Sequence, residues 1–415
     1  MPHIAVLGAG ITGVTTAFHL MERGFEVTLF DRQRYPAMET SFANGGQLSA
    51  SNAEVWTTFS TVLKGLKWMM QADAPLLVSP SPSWHKISWM MRFLSNIPNY
   101  RRNTIETTRL AIAARPLLLE MADRAGIDFD LEKRGILHVY RSEAALRHGR
   151  KVTEMQAEGG LHREELTGAE VLEREPTLSG PFVGGFWTES DMTGDIHKFT
   201  CELAKWLDRQ GVTMRLGTEI TELRRDADGV AVNGSHFDGA VVCAGVASRW
   251  MARALGDSVP VYPVKGYSIT VELRDTESQA AAPWTSLLDD EAKIVTSRLG
   301  PDRFRIAGTA EFSGENRDIR ADRIAPLVRW SEHMFPGVST EHVTPWAGLR
   351  PMMPSMMPRV GRGRHAGVFY NTGHGHLGWT LSGATAAMIG ATVADAYKPA
   401  QPARPPEPRP QSQFA

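Results

Sequence analysis

Apolar and polar positions follow two rhythms along this chain. Residues 4–7 (Ile-Ala-Val-Leu) form an unbroken apolar run, which predicts a strand covered on both faces. After a helical stretch over 15–24, residues 25–30 (Phe-Glu-Val-Thr-Leu-Phe) resume as a strand, and further strands are predicted at 212–216, 219–225, 230–232 and 240–243. Apolar and polar residues alternate over 267–273, 293–298 and 303–307, as in an antiparallel sheet with one covered face. The 3.6-residue rhythm predicts helices over 104–125, closed by Gly126, over 143–160 and over 321–335. It also predicts 197–209, with Asp195 as N-cap and Gly211 as stop, and 379–396, whose Ala, Gly and Ser residues allow close packing. Short strands are expected at 136–141, 184–187, 344–347 and 368–372. The Pro-rich stretch 399–415 cannot bury a core and is predicted to be a disordered tail.

The junction of the first strand and helix carries the chemistry. It reads Gly8-Ala-Gly10-Ile11-Thr12-Gly13. Gly8 permits the tight turn, Gly10 lets backbone approach a pyrophosphate, and Gly13 lets the helix lie close to the strand. The N–H groups that open this helix, from Ile11 and Thr12, would face the anion at the positive end of the helix dipole. Asp31 ends the next strand, 18 positions after Gly13 and just before Arg32. A carboxylate there can accept from a ribose hydroxyl and would repel a 2′-phosphate, which argues against NADP. NAD and FAD both satisfy this motif.

At 415 residues the chain calls for more than one core, and the nucleotide-binding texture is discontinuous. The expected division gives a nucleotide-binding domain from 1–55, 192–258 and 342–398, in which Ala244-Gly245 follows a strand. A substrate domain is expected from 56–191 and 259–341. The fold class is α/β: a Rossmann-like FAD-binding domain assembled from discontinuous segments, with an inserted α+β substrate domain on a mostly antiparallel sheet. Such interleaving favours FAD, whose extended form needs contacts from distant segments. Hydrophobic content of 42% and charged content of 22% are those of an ordinary globular protein, and a net charge of −1 implies no general nucleic-acid affinity. Cys201 and Cys243 sit apart in apolar stretches and read as reduced, buried thiols. No uninterrupted apolar run reaches the ~18 residues of a spanning helix. The expected location is cytoplasmic, or peripheral on the inner face of the cell membrane.

Several segments together carry a family resemblance: Val6–Val14, Glu39–Gln47, Tyr262–Ser268, Trp346–Pro351 and Asn371–Thr380. From residue 3 to about 397 the chain resembles the bacterial D-amino acid dehydrogenase small-subunit family. That family lies within the D-amino acid oxidase/glycine oxidase/sarcosine oxidase class of flavoproteins. The resemblance implies FAD as cofactor and a small-molecule amino acid as substrate. The implied reaction is oxidative deamination of a D-amino acid to a 2-oxo acid and ammonia, with hydride passing from the substrate α carbon to flavin N5 and electrons leaving to a quinone or other carrier. Related amine oxidations, of glycine, sarcosine or D-hydroxyproline, and a flavin-bound interaction subunit without turnover remain as alternatives.

The resemblance also assigns residues. Thr40, Ser41, Asn44, Gly45, Gly46, Gln47 and Leu48 would contact the flavin or its phosphates, and Ile220 would lie along the cofactor. Gly373, His374, Gly375, His376, Leu377 and Gly378 form the loop that opens the last helix, followed by Trp379 and Thr380. Such a loop aims N–H groups and a positive dipole end at the flavin ring. Arg350, in a segment with Gly348, would grip the substrate carboxylate with its planar fork, and Tyr267 would add a hydroxyl to that carboxylate. Two histidines without nearby Cys, Asp or Glu make a poor metal site, so no metal is expected.

Two features depart from or extend the family pattern. After Pro351 the family continues Thr-Pro-Asp-Gly-x-Pro, whereas this chain has Met353-Pro354-Ser355-Met356-Met357-Pro358. Methionine at the glycine position adds a bulky side chain and a φ restriction. The stretch 56–102 mixes Trp, Met and basic residues. It reads as an all-α cap on the substrate domain, with a docking face for a membrane surface, quinone or partner subunit as the other reading.

Overall fold

The computed structural model describes residues 1–61, 76–79 and 83–398. The predicted tail 399–415 and parts of the 56–102 stretch lie outside them.

A six-stranded sheet runs in the order Arg359–Arg362, Val368–Thr372, Gly239–Val242, His3–Leu7, Glu26–Phe30 and Thr213–Arg215. All its pairings are parallel except that of the first two strands. The apolar runs read from the sequence are its centre: Ile4, Val6, Val27, Leu29 and Val241 are buried on both sides of the pairing. Helix Ile11–Met21 starts earlier than the predicted 15–24, immediately after Gly10, because Gly13 lets it approach the strand; a Cβ at Gly13 would stand 1.7 Å from the Gly8 carbonyl oxygen. The last helix, Gly378–Tyr397, packs on this helix and on Tyr100–Ala125. It is long and apolar enough to cross a bilayer, with a mean hydropathy of 1.2, yet 67% of that window is buried inside the molecule. Its small residues make it a core helix.

A larger, mixed sheet begins with Val343–Met352, Tyr262–Glu272, Arg303–Phe312, Ile294–Arg298 and Ser286–Asp289, all paired antiparallel, and continues through Ile136–Tyr140, Gly184–Thr188 and Glu164–Thr167. Leu76–Val78 adds on beside Arg303–Phe312. Val343–Met352 was expected with the nucleotide-binding segment 342–398 and instead pairs along ten positions with Tyr262–Glu272. Alternation through Pro345 and Pro351 was too irregular to show a strand of that length. The predicted strand 219–225 is reduced to Leu223–Arg225 of a three-stranded meander, because the Thr221 and Glu222 N–H groups turn to donate to Asn233 Oδ1. Unpredicted short helices occupy Ser248–Ala254, Gly168–Arg174 and Thr276–Ala281.

The Tyr262–Glu272 and Arg303–Phe312 pairing slips by one residue. Lys265 faces Glu311 and Tyr267 faces Gly308, so Thr309 and Ala310 together oppose Gly266. This bulge bends the strand at one position and takes Thr309 to φ +58°, a left-handed conformation that is rare for a β-branched residue.

Candidate active site

A cleft of about 790 Å³ runs between the two sheets. One end is walled by Gly8, Gly10, Ile11 and Thr12, the middle by the 40–47 loop, and the other side by Arg350 and the 373–380 loop. Asp31, Arg32, Ile220, Ala244, Gly245, Gly348 and Tyr267 also line it. Two of the expected cofactor residues do not. Gly13 packs helix on strand, and Leu48 is 1% exposed in the apolar core beneath the first helix. Leu48 pairs with Met192 in a two-residue strand, and that pairing turns its side chain into the core.

The glycine loop is held open by side chains. Asp31 Oδ2 accepts from the Ala9 N–H at 2.7 Å and its Oδ1 from the Gln33 N–H at 2.8 Å. Burial pushes its pKa up, against the lowering effect of these two bonds. Ser41 Oγ accepts from the Ile11 N–H at 3.1 Å, and Thr40 Oγ1 donates to the Leu349 carbonyl at 2.8 Å. These bonds tie the first helix to the 40–47 loop, and that loop to the strand bearing Arg350. Arg32 pairs with Glu39 at 2.7 Å, and Glu39 also pairs with Arg317.

The middle of the cleft fits FAD. A Cβ at Gly245 would meet nothing within 4 Å, and one at Gly10 only Ser41 Oγ at 3.4 Å, so bare backbone faces the space. Asn44 Oδ1 accepts from the Gly46 N–H at 2.9 Å and shapes the loop there, with Gly46 at φ +70°. Gln47 Nε2 donates to the Leu287 and Thr296 carbonyls, while its Oε1 is buried with no partner among the described residues. His376 Nε2 is likewise buried and without a partner among them. Buried polar atoms facing a cleft without protein partners are the mark of a polar ligand's seat. The loop after Thr372 turns through Gly373 and Gly375 at φ +78° and +61°, and the 20-residue helix then opens at Gly378 on the cleft.

The two histidines of this loop do not converge on a common point. His374 Nε2 bonds Thr385 Oγ1 at 2.9 Å, and His376 stacks on Trp56 with ring centroids 4.5 Å apart. Burial depresses both to about 3, helped at His376 by the charge of Arg350, so both are neutral. Among the described residues no group of three His, Cys, Asp or Glu is placed to hold a metal. Trp379 packs edge-on to Phe129 and Phe199, contributing mainly to the core behind the cleft. Thr380 Oγ1 donates to the Gln47 carbonyl at 3.3 Å and joins that core to the flavin loop.

Arg350 sits opposite. Its Nη1 donates to the Thr309 carbonyl at 2.8 Å, and no carboxylate among the described residues lies within ion-pairing distance. Burial alone lowers its pKa, to about 10. Its guanidinium lies flat across Gly266, where a Cβ would stand 2.3 Å from Nη2. An uncompensated, permanently charged fork in a cleft is a seat for an anion. Tyr267 is different from the expectation: its hydroxyl donates to Glu311 Oε2 at 2.7 Å, and Lys265, fully buried, stands 3.4 Å from Glu311 Oε1. Its proton is therefore committed to Glu311.

The sequence did not point to Glu54, Gly266, Lys293 or Thr309, which also line the cleft. Over 51–58, buried residues alternate strictly with partly exposed ones, and the partly exposed Asn52, Glu54, Trp56 and Thr58 face the cleft. The polar/apolar order Asn52-Ala53-Glu54-Val55 carried that signal faintly. Met356, at φ +63°, takes the left-handed turn that a glycine would take, and packs with Trp89, Tyr262 and Met352 away from the cleft lining.

The sequence profile of the FAD dependent oxidoreductase (DAO) family matches residues 3–392. D-amino acid dehydrogenase 3 of Mesorhizobium japonicum is 61% identical over 401 residues, 95% of this chain and 97% of that protein. D-amino acid dehydrogenase of Paramagnetospirillum magneticum is 41% identical over 91% of this chain and 92% of that protein. Glycine oxidase from Geobacillus kaustophilus has a similar solved structure, with a TM-score of 0.73 at 21% identity, covering 96% of each chain.

Proposed function

Because this chain belongs to the DAO family of FAD-dependent oxidoreductases, we propose that Arg350 is the anchor around which it oxidises a D-amino acid. The reaction is FAD-dependent oxidative deamination, giving a 2-oxo acid and ammonia. The observation that carries the assignment of Arg350 is its buried charge with no acid beside it among the described residues. A substrate carboxylate supplies the missing anion by two parallel hydrogen bonds.

FAD bound in the cleft supplies the hydride acceptor. The glycines 8, 10 and 13 and the first helix would hold its diphosphate, with the loops 40–47 and 373–378 on either side of its ring. The Thr309 carbonyl fixes one arm of Arg350, and the flat seat on Gly266 fixes its plane, so the bound carboxylate has one orientation. Neutral His376 adds no competing charge to that carboxylate. An unprotonated substrate amine would push electrons as Cα–H leaves as hydride, giving an iminium that water hydrolyses to the 2-oxo acid and ammonia, so no protein base is required. The Glu311–Tyr267–Lys265 group holds the floor beneath Gly266.

The two sheets support a division near residues 55, 191, 258 and 352, with 353–398 returning to the nucleotide-binding part. The electrons pass onward to a quinone or other carrier. Helix Trp84–Ser95 supports a docking face for such a partner or for a membrane surface: Trp84, Ile87, Met91 and Leu94 are exposed at helical spacing, beside Arg92.

The test is anaerobic mixing of the flavin-loaded protein with paired D- and L-amino acids while the flavin absorbance is followed. Bleaching by D-amino acids and not by their L-enantiomers is the expected result. A flavin untouched by any amino acid rules the reading out.

A further inference from the structure

We infer that the end of the cleft beyond Trp56 and His376, built around Glu54, receives a side-chain ammonium group of the amino-acid substrate. The inference rests on the D-amino acid reading above and adds a preference among those substrates.

The cleft does not end at Arg350. It is also lined by the stacked Trp56 and His376 rings and by Glu54, His148, Asp290 and Lys293, and His376 feels the charges of both Arg350 and Lys293. These side chains reach accessible space, with exposures of 21% for Glu54, 45% for His148, 17% for Asp290 and 50% for Lys293. The alternation over 51–58 sends Glu54 and Trp56 to the same side, so the aromatic platform lies next to the carboxylate.

The hydrogen-bond inventory then decides what such a wall can still bind. Lys293 Nζ and the Tyr140 hydroxyl both donate to Asp290, at 2.5 and 2.9 Å. The Tyr100 hydroxyl and His148 Nε2 both bond Glu54 Oε1, at 2.6 and 3.2 Å. Glu291 is taken by the N–H groups of Arg141 and Ser142 and by the Ser142 hydroxyl. What is left is an acceptor: Glu54 Oε2 has no partner among the described residues. An acceptor carrying charge selects a donor, best a cationic one. The Trp56 face favours a cation and also covers the methylenes leading to it.

A substrate lying carboxylate-to-Arg350 therefore meets apolar rings along its stem and an unfilled carboxylate oxygen at its tip. Of the positive neighbours, Lys293 and His148 are each already paired with an acid on the same wall, and Arg163 donates to Thr153 Oγ1 and Gln156 Oε1 and lies over the Phe186 ring.

The experiment compares D-ornithine with D-norleucine, in which a methyl group replaces the ammonium at equal chain length, and uses D-alanine as reference. Flavin-loaded wild type should reduce on all three and favour D-ornithine over D-norleucine by about 10–100-fold in kcat/KM, the value of one charge-assisted hydrogen bond. Glu54→Gln should lower that ratio by about tenfold or more while retaining its flavin spectrum. In wild type the D-ornithine KM should rise more steeply with added salt than that for D-norleucine, which shares only the Arg350 contact. Equal use of the two substrates, a salt-independent ratio, or an equal loss for both in Glu54→Gln overturns the subsite. Reduction by D-alanine alongside any of these leaves the deamination reading standing; no reduction by any of the three overturns both.

Discussion

Arg350 gives one of its N–H groups to the carbonyl of Thr309, 2.8 Å away, and no carboxylate among the described residues pairs with it. The bulge that presents that carbonyl forces Thr309 into a left-handed conformation, so a strained backbone position orients the buried cation. Replacing Arg350 with Ala removes charge-assisted bonds to the substrate, each worth about 1.5–3 kcal/mol. KM for a D-amino acid should rise by about two orders of magnitude or more, with flavin retained. Steady-state kinetics over a wide substrate range check this, and an unchanged KM removes Arg350 from the site.

Substitutions at Gly266 and Gly13 test the substrate and cofactor ends of the cleft separately. A methyl group at Gly266 would stand 2.3 Å from Arg350 Nη2, the end of a side chain that can move. Gly266→Ala should therefore bind flavin normally and raise KM by about tenfold through a displaced fork. A methyl group at Gly13 would stand 1.7 Å from the Gly8 carbonyl oxygen, which is backbone of the phosphate-binding turn. Gly13→Ala should be purified colourless or lose flavin on dilution. Flavin-to-protein absorbance ratios distinguish the two variants.

Met356 tests whether the departure from the family's glycine reaches the substrate. The left-handed φ costs about 1 kcal/mol for a side-chain-bearing residue, and Met356→Gly recovers it. The same change empties a buried site among Trp89, Tyr262 and Met352, at about 2–5 kcal/mol. The balance predicts net destabilisation by about 1–4 kcal/mol, read from the urea midpoint. Met356 does not line the cleft, so KM should stay within about twofold.

The parallel core was legible because its apolar runs are nearly continuous. Ile4–Leu7 is apolar and buried throughout, and Val27–Phe30 is buried throughout although Thr28 interrupts its apolar run. The glycine turn was legible because each glycine meets a separate steric demand, at Gly8, Gly10 and Gly13. Of Val343–Met352 only 344–347 was legible, since two prolines and a Trp-Ala-Gly run hide the rest of its period until Tyr262–Glu272 is laid beside it. Tyr267 was placed on the right strand, but its hydroxyl partner, Glu311, comes from a neighbouring strand and across a bulge. Glu54 lay in a stretch without regular structure, and its role depends on Tyr100, His148 and Trp56 meeting it there. Local pattern specifies elements; long-range pairing decides which polar atoms remain unspent.

Stability should fall as the solution is acidified below the ordinary histidine range. His374 and His376 are held near 3 in the folded protein, chiefly by burial, against about 6.5 in an unfolded chain. Between these values the unfolded chain binds protons that the folded one does not, so unfolding becomes easier as pH drops. The stabilising contribution is complete above about pH 6.5 and is lost progressively toward 3. At pH 5.5 each of the two should cost about 1.4 kcal/mol relative to pH 7.5, or about 3 kcal/mol together. Urea midpoints at these two pH values measure this sum together with a similar one from His19 and His138, which burial holds near 4. His374→Gln, which keeps a side chain able to bond Thr385, should shrink the difference by about a quarter. A pH-independent midpoint in the wild type would show that these imidazoles protonate in the folded state.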